Sequence, residues 1–310
     1  MSLRVRGIVV FLVAAFGGTW PYLFFARWVM GWSLVNPLVQ LPVAMMPALG
    51  AVVVRRWVTR EGFADAGLRL RLRGAWPHWL LAWFAPLAVT FLALGCAAAL
   101  GWWRPDLSPA GGPGGVAFLL VLQLVSTPLY WGEEFGWTSF LWPRLVPGRP
   151  RASVVATGLV WAVWHYPLAF LGYAEFTDHT VSMALWTVMF VLFQVMLCWL
   201  YARSGSVWVT SLAHAGNNMV MGLLTEQLFG GLSTVRNMIC VDVALALVCL
   251  PLLRSSAFRS PGGTAARMRA GRRVVVLLGP GCSDRSTRWP ALIRAQPQSA
   301  AASALGATPR

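Results

Sequence analysis

The strongest constraint on this chain is a series of apolar runs, each long enough to cross a bilayer. A helix rises 1.5 Å per residue, so a hydrocarbon core of about 30 Å takes roughly 20 apolar residues. Such runs fall near residues 6–26, 33–54, 76–101, 115–143, 153–173, 180–202, 206–224 and 236–253. Lipid offers no partner to a backbone amide, so each run must close its own hydrogen bonds as a helix. The charge content agrees: 11% of residues are charged, where a soluble domain carries about 25%. Eighteen Trp and sixteen Phe suit rings that meet acyl chains and headgroups. The expected fold is all-α, a polytopic membrane protein of about eight transmembrane helices.

The net charge of +15 would point to nucleic acid in a soluble protein. Here every basic residue is Arg, and the arginines sit mostly between apolar runs. That placement reads as an orientation signal, so the lipid bilayer is an expected partner and nucleic acid is not. Arg4 and Arg6 precede the first run, six arginines between Arg55 and Arg73 follow the second, and Arg144, Arg149 and Arg151 follow the fourth. Arg203 follows the sixth, and an Arg-rich tail follows the eighth. The alternate connections are nearly bare of Arg, so both termini are expected in the cytoplasm. "MSLRVRGIVVFLVAAF" has the look of a signal peptide, but its apolar stretch continues toward Phe25, which favours an uncleaved first helix. Residues 1–253 read as one membrane domain with a motif-bearing core over about 115–225, and 254–310 as an Arg/Ala/Gly/Pro-rich disordered tail. The five cysteines are scattered without a C-x-x-C pair, so they are expected to be packing residues rather than a disulfide or zinc framework. Abundant Ala, Gly, Pro and Arg without Lys hints at a GC-rich bacterial source, and so at the cell membrane as the location.

An ionisable group at membrane depth is costly and is by default a sign of function. Three clusters meet that description. "YWGEEFGWTSFLWP" holds Glu133 and Glu134, "GLVWAVWHYPLAF" holds His165, and "SLAHAGNNMVMG" holds His214, Asn217 and Asn218. His214 and Asn218 are four apart and share a helix face. Glu133 and Glu134 lie about 100° apart around an axis of 3.6 residues per turn, so one is expected to face a site and the other to support it. Counted from the expected cytoplasmic ends, all three clusters can meet in a chamber in the cytoplasmic half. His78 and His179 read as incidental, and Gln123, Gln194 and Asp242 as interhelical hydrogen-bonding residues.

In order and spacing, "EEFGWTSFLWPRL", "WAVWHYPLAF" and "SLAHAGNN" resemble the three signatures of the CPBP intramembrane proteases. This group comprises the type II CAAX prenyl endopeptidases and their bacterial Abi relatives. The likeness covers roughly residues 40–225. It implies Glu133 as the residue that activates water, Glu134 as its support, Trp161 as the aromatic of the second motif with His165, and His214 with Asn218 as the third. The family's Arg in the first motif is Thr138 here. Without that cation, Glu134 is expected to be protonated or held by another Arg, with Thr138 able to donate a hydroxyl hydrogen bond.

A Glu with two His fits amide hydrolysis by activated water, with Glu133 as general base and Asn218 or a protonated His at the oxyanion. The alternative is a divalent metal such as Zn2+ bound by Glu133, His165 and His214. The expected substrate is a membrane-associated peptide or protein, of CAAX type by resemblance, reaching the chamber from the cytoplasmic face or from lipid. Two readings from other classes compete. One is a silent binding or bacteriocin-immunity protein of the same fold; the other is a proton-relaying transporter.

Overall fold

A computed structural model describes residues 1–258 apart from Glu175 and Thr177. Of the tail expected over 254–310, residues 254–258 are described and include a 3-10 turn at Ser256–Phe258, and the rest lies outside the described residues, which contain helices and no strand. In chain order the α-helices are α1 (Leu3–Phe24), α2 (Pro37–Val53), α3 (Trp76–Ala99), α4 (Gly112–Ser126), α5 (Trp131–Glu134) and α6 (Trp142–Leu145). There follow α7 (Pro150–Phe170), α8 (His179–Ser204), α9 (Val207–Gly216), α10 (Leu223–Leu228) and α11 (Thr234–Leu253). Local sequence sets their ends. Asn36 caps α2 through Leu38 N with Pro37 in the first turn, Asp178 caps α8 through Val181 N, and Ser233 caps α11. Gly205, at φ +64°, ends α8 in the left-handed region.

Among the described residues seven helices are long and apolar enough to span a membrane, the longest running from Gly112 to Leu145. The chain is thus an integral multi-pass membrane protein. The expected eighth run is helical as well: α9, a π stretch over Asn217–Gly222 and α10 follow one another without a break. Its His, Asn, Thr and Ser residues hold its hydropathy down. The bundle replaces lipid as its surroundings, since nearly every residue of α9 is buried.

A few helix packings position the rest. α7 and α11 both pack along α8, and α3 lies against α9. α2 lies against α5 and the π stretch Phe135–Leu141 through glycines: a Cβ on Gly136 would stand 2.8 Å from the carbonyl carbon of Pro47, and one on Gly132 2.7 Å from Met45 Cε. Only glycine permits that approach.

The arginine-rich connection 59–75 does more than carry charge. Its backbone is fastened to the bundle end: Ser139 Oγ donates to Ala66 O (2.8 Å), Val207 N to Gly67 O (2.9 Å), Trp208 Nε1 to Leu68 O (3.0 Å) and Ser206 Oγ to Arg69 O (2.8 Å). Arg55, read from sequence as an orientation signal, is 1% exposed and donates to Gly62 O and Asp65. Glu61 pairs with both Arg55 and Arg144.

The remaining polar expectations divide. Gln123 bridges helices by donating to Ala82 O on α3 and Leu212 O on α9. Asp242 does not. It is buried on α11, and neither carboxylate oxygen has a hydrogen-bond partner among the described residues. His78 lies against Trp199 and His179 against Phe170, as incidental residues would. The four described cysteines are free thiols.

Candidate active site

The span that carries the paired carboxylates is not one regular helix. α4 ends at Ser126, Pro128 sits in a 3-10 turn over Thr127–Tyr130, and the chain then passes through α5 into the π stretch Phe135–Leu141. The motif at His214 likewise runs from α-helix into π-helix at Asn217. Such wide turns recur at functional sites because they aim side chains a regular helix would not. Both carboxylates are interior, Glu134 at 0% exposure and Glu133 at 6%.

Glu134 is held on both oxygens. His214 Nδ1 lies 2.9 Å from Oε1, and Thr138 Oγ1 donates to Oε2 at 2.7 Å. Thr138 thus donates the hydroxyl hydrogen bond expected of it, and of the two alternatives for Glu134, protonation or another arginine, the second is replaced by an imidazole from α9. Thr138 in turn accepts from Gln194 Nε2 on α8 at 3.1 Å. Glu133 points elsewhere, as its 100° offset requires. Its Oε2 accepts from the indole N–H of Trp161 at 2.8 Å.

Trp161 is the hub of the cluster. Besides holding Glu133, its backbone carbonyl takes His165 Nδ1 at 3.0 Å, and its ring meets His214 edge-on at 5.2 Å between centroids. A carbonyl only accepts, so Nδ1 of His165 carries its proton and Nε2 keeps a lone pair when the ring is neutral. Phe190 stacks on His165 at 4.3 Å, and Tyr130 lies against His214 at 4.7 Å. Glu133, Glu134, His165 and His214 are thus joined through Trp161 and one direct pair. Asn218 turns back along its own helix, where Nδ2 donates to His214 O at 3.2 Å. Sequence reasoning set Gln194 aside as interhelical and passed over Tyr130 and Phe190. A polar residue in the apolar run of α8 was the only signal for the first, and nothing distinguished the two rings from other aromatics.

Beside the cluster, Tyr173 lies beyond the end of α7. Burial first, then the charge of Glu133, push its phenol above the usual value against an opposing hydrogen bond with Gln40. The residues weighed as metal ligands, Glu133, His165 and His214, are not disposed as a coordination shell: among the described residues no group of three or more His, Cys, Asp or Glu is arranged to hold an ion. Their donor atoms are in part occupied, His214 Nδ1 by Glu134 and His165 Nδ1 by Trp161 O.

Residues 113–220 match the family model described as type II CAAX prenyl endopeptidase Rce1-like. The matched segment contains all three motifs, and it points to the family whose signatures they resemble. No curated protein matches the chain.

Proposed function

We propose that this protein is an intramembrane endopeptidase, and that it hydrolyses peptide bonds of membrane-associated, CAAX-type peptide or protein substrates. The observation that carries this reading is the buried meeting of Glu133, Glu134, His214 and, through Trp161, His165. An interior bundle of this kind has no structural need for two carboxylates and two imidazoles. The family match over the same residues supports the reaction class.

In the proposed reaction Glu133 takes a proton from a water whose oxygen attacks the scissile carbonyl carbon. The indole N–H of Trp161 fixes that carboxylate in place. The negative charge that develops on the carbonyl oxygen is met by the Nε2–H of a protonated imidazole, His165 or His214, and by the amide of Asn218, once that amide leaves its intrahelical bond. The tetrahedral intermediate then collapses, the C–N bond breaks, and the proton held by Glu133 passes to the departing amine. Glu134 does not touch substrate in this scheme; it holds His214. No step requires a divalent ion.

The reading places both termini and the arginine-bearing loops in the cytoplasm of a bacterial cell, with the bundle in the cell membrane. A catalytically silent binding or immunity protein is the competing account. Purified protein in detergent, given a candidate prenylated or membrane-anchored peptide with and without a chelator, decides between them. Cleavage that Glu133→Gln abolishes is the expected result, and cleavage that survives that substitution overturns the assignment. Loss of cleavage with chelator, restored by Zn2+, would move the chemistry to the metal-bound version.

A further inference from the structure

The direction of the hydrogen bonds behind Glu134 carries more than the family pattern does. Gln194 on α8 is fully buried, and its Nε2 lies 3.1 Å from Thr138 Oγ1 and 3.0 Å from Cys198 Sγ. An amide nitrogen can only donate. A hydroxyl that accepts one hydrogen bond is free to donate its own proton onward, and the oxygen that receives it is Glu134 Oε2 at 2.7 Å. That oxygen is then bare. Glu134 Oε1 meets His214 Nδ1 at 2.9 Å, and a carboxylate accepting on both oxygens requires Nδ1 to carry hydrogen. Were the amide turned round, its oxygen would accept from Thr138, and Oε2 would lose its donor.

We propose that Gln194 is a positioning residue of the hydrolytic site: acting through Thr138, it fixes Glu134 as a doubly accepting carboxylate and so keeps the N–H of His214 Nδ1 on it, leaving Nε2 as the nitrogen that meets substrate. This rests on the endopeptidase reading for its kinetic consequence but not for its structural one. The pair Thr138 and Gln194 does from two helices what a single cation on the carboxylate's own helix would do. Neither residue carries charge, so the network adds no unpaired ion to the interior.

The test has two arms. In the kinetic arm, Gln194→Met keeps length and removes the donor, Thr138→Val keeps shape and removes the relay, and Thr138→Ser restores the hydroxyl. Gln194→Met and Thr138→Val are each expected to lower kcat roughly tenfold with KM unchanged, the scale of one hydrogen bond to a charged group. Thr138→Ser should recover most of the loss. The double variant should be no slower than Thr138→Val alone, since a residue acting only through another adds nothing once the relay is gone. Losses that multiply in the double variant overturn the proposal. In the second arm the protein is labelled with 15N-histidine, and the His214 signal is assigned by its disappearance in His214→Gln. Nδ1 should read as hydrogen-bearing in the wild type and as an acceptor in Gln194→Glu, where the new carboxylate accepts the hydrogen bond of Thr138 and Glu134, left without that donor beside a second carboxylate, takes up a proton from water and donates it to Nδ1. An unchanged Nδ1 signal in Gln194→Glu overturns the proposal as well. This arm is read whether or not peptide is cleaved, so an inactive wild type would sink the endopeptidase reading while leaving the role of Gln194 to be decided by the imidazole signal.

Discussion

Carboxylates are held in two regions of this molecule, and by opposite means. At the end of the bundle that bears the arginines, Glu61 and Asp65 face guanidinium groups: Arg55 lies 2.9 Å from Asp65 and 3.6 Å from Glu61, and Arg144 lies 2.7 Å from Glu61. In the interior, Glu133 and Glu134 have an indole, a hydroxyl and an imidazole instead. A guanidinium never gives up its proton at ordinary pH, so it can fasten but cannot take part in proton transfer. An imidazole exchanges protons readily, and a hydroxyl or indole orients a carboxylate without neutralising it. The rim cluster is therefore suited to tethering the connection 59–75, while the interior cluster leaves its carboxylates unneutralised, as the proposed hydrolysis requires.

The sharpest way to break that contrast is to neutralise one carboxylate in each region. Glu133→Gln keeps the shape and the acceptor oxygen for Trp161, and is expected to lower kcat by about 10³-fold, within the range for a lost general base. Asp65→Asn should leave kcat unchanged. Steady-state cleavage by the two variants, side by side, measures the difference. Equal losses would mean that the two regions are not functionally distinct.

Next in size is Arg55→Met. The guanidinium is 1% exposed, whereas the side chain of Asp65 is 61% exposed and that of Glu61 31%. Removing it strands Asp65, which can still reach water, while Glu61 keeps Arg144, so the cost should fall below that of a fully buried pair. A loss of about 2 kcal/mol of stability is expected, read as a lower thermal midpoint in detergent. Activity per folded molecule should change little. A variant that stays stable but stops cleaving would reassign Arg55 from tether to site.

A smaller effect is expected from Trp161→Phe, which retains the ring against His214 and the carbonyl for His165 but removes the N–H from Glu133 Oε2. The cost of one hydrogen bond to a charged acceptor, about 1.5 kcal/mol, corresponds to roughly tenfold in kcat. Unaltered kinetics would mean that the indole packs the site without orienting it.

The same contrast explains which parts of the molecule were legible in the sequence. Glu133, Glu134, His165 and His214 announced themselves because ionisable residues stand out in apolar runs. Their placement on three distinct helices followed from the runs alone. What could not be read was every link that joins one helix to another. Thr138 faces Gln194 only because α8 crosses the π stretch, and no periodicity reports a crossing. The π stretches themselves are invisible to a 3.6-residue reading, yet they decide where Thr138 and Asn217 lie. Arg55 misled for a different reason: the positive-inside rule accounts for an arginine in a loop without asking whether it is buried. Asp242 was the converse error. A polar residue in a span was expected to find a partner, and it has none among the described residues.

The smallest predicted effect concerns pH, and it belongs to the rim alone. Burial raises the carboxyl of Asp65, but the hydrogen bond and charge of Arg55, with a further contribution from Arg144, outweigh it and hold the group below its ordinary value. A carboxylate lowered in the folded state binds fewer protons there than in the unfolded chain, whose Asp titrates near about 3.9. Its stabilising contribution is complete above that value and is lost as pH falls through the folded one. The gap in thermal midpoint between wild type and Asp65→Asn should therefore be constant near neutrality and narrow below about pH 4. Because the side chain is 61% exposed, water screens the pair and the gap should be modest, and smaller still at high salt. A gap that persists unchanged into acid would mean that Asp65 serves 59–75 through packing rather than charge, and the distinction between a tethering rim and a reacting interior would then rest on Arg55 and Arg144 alone.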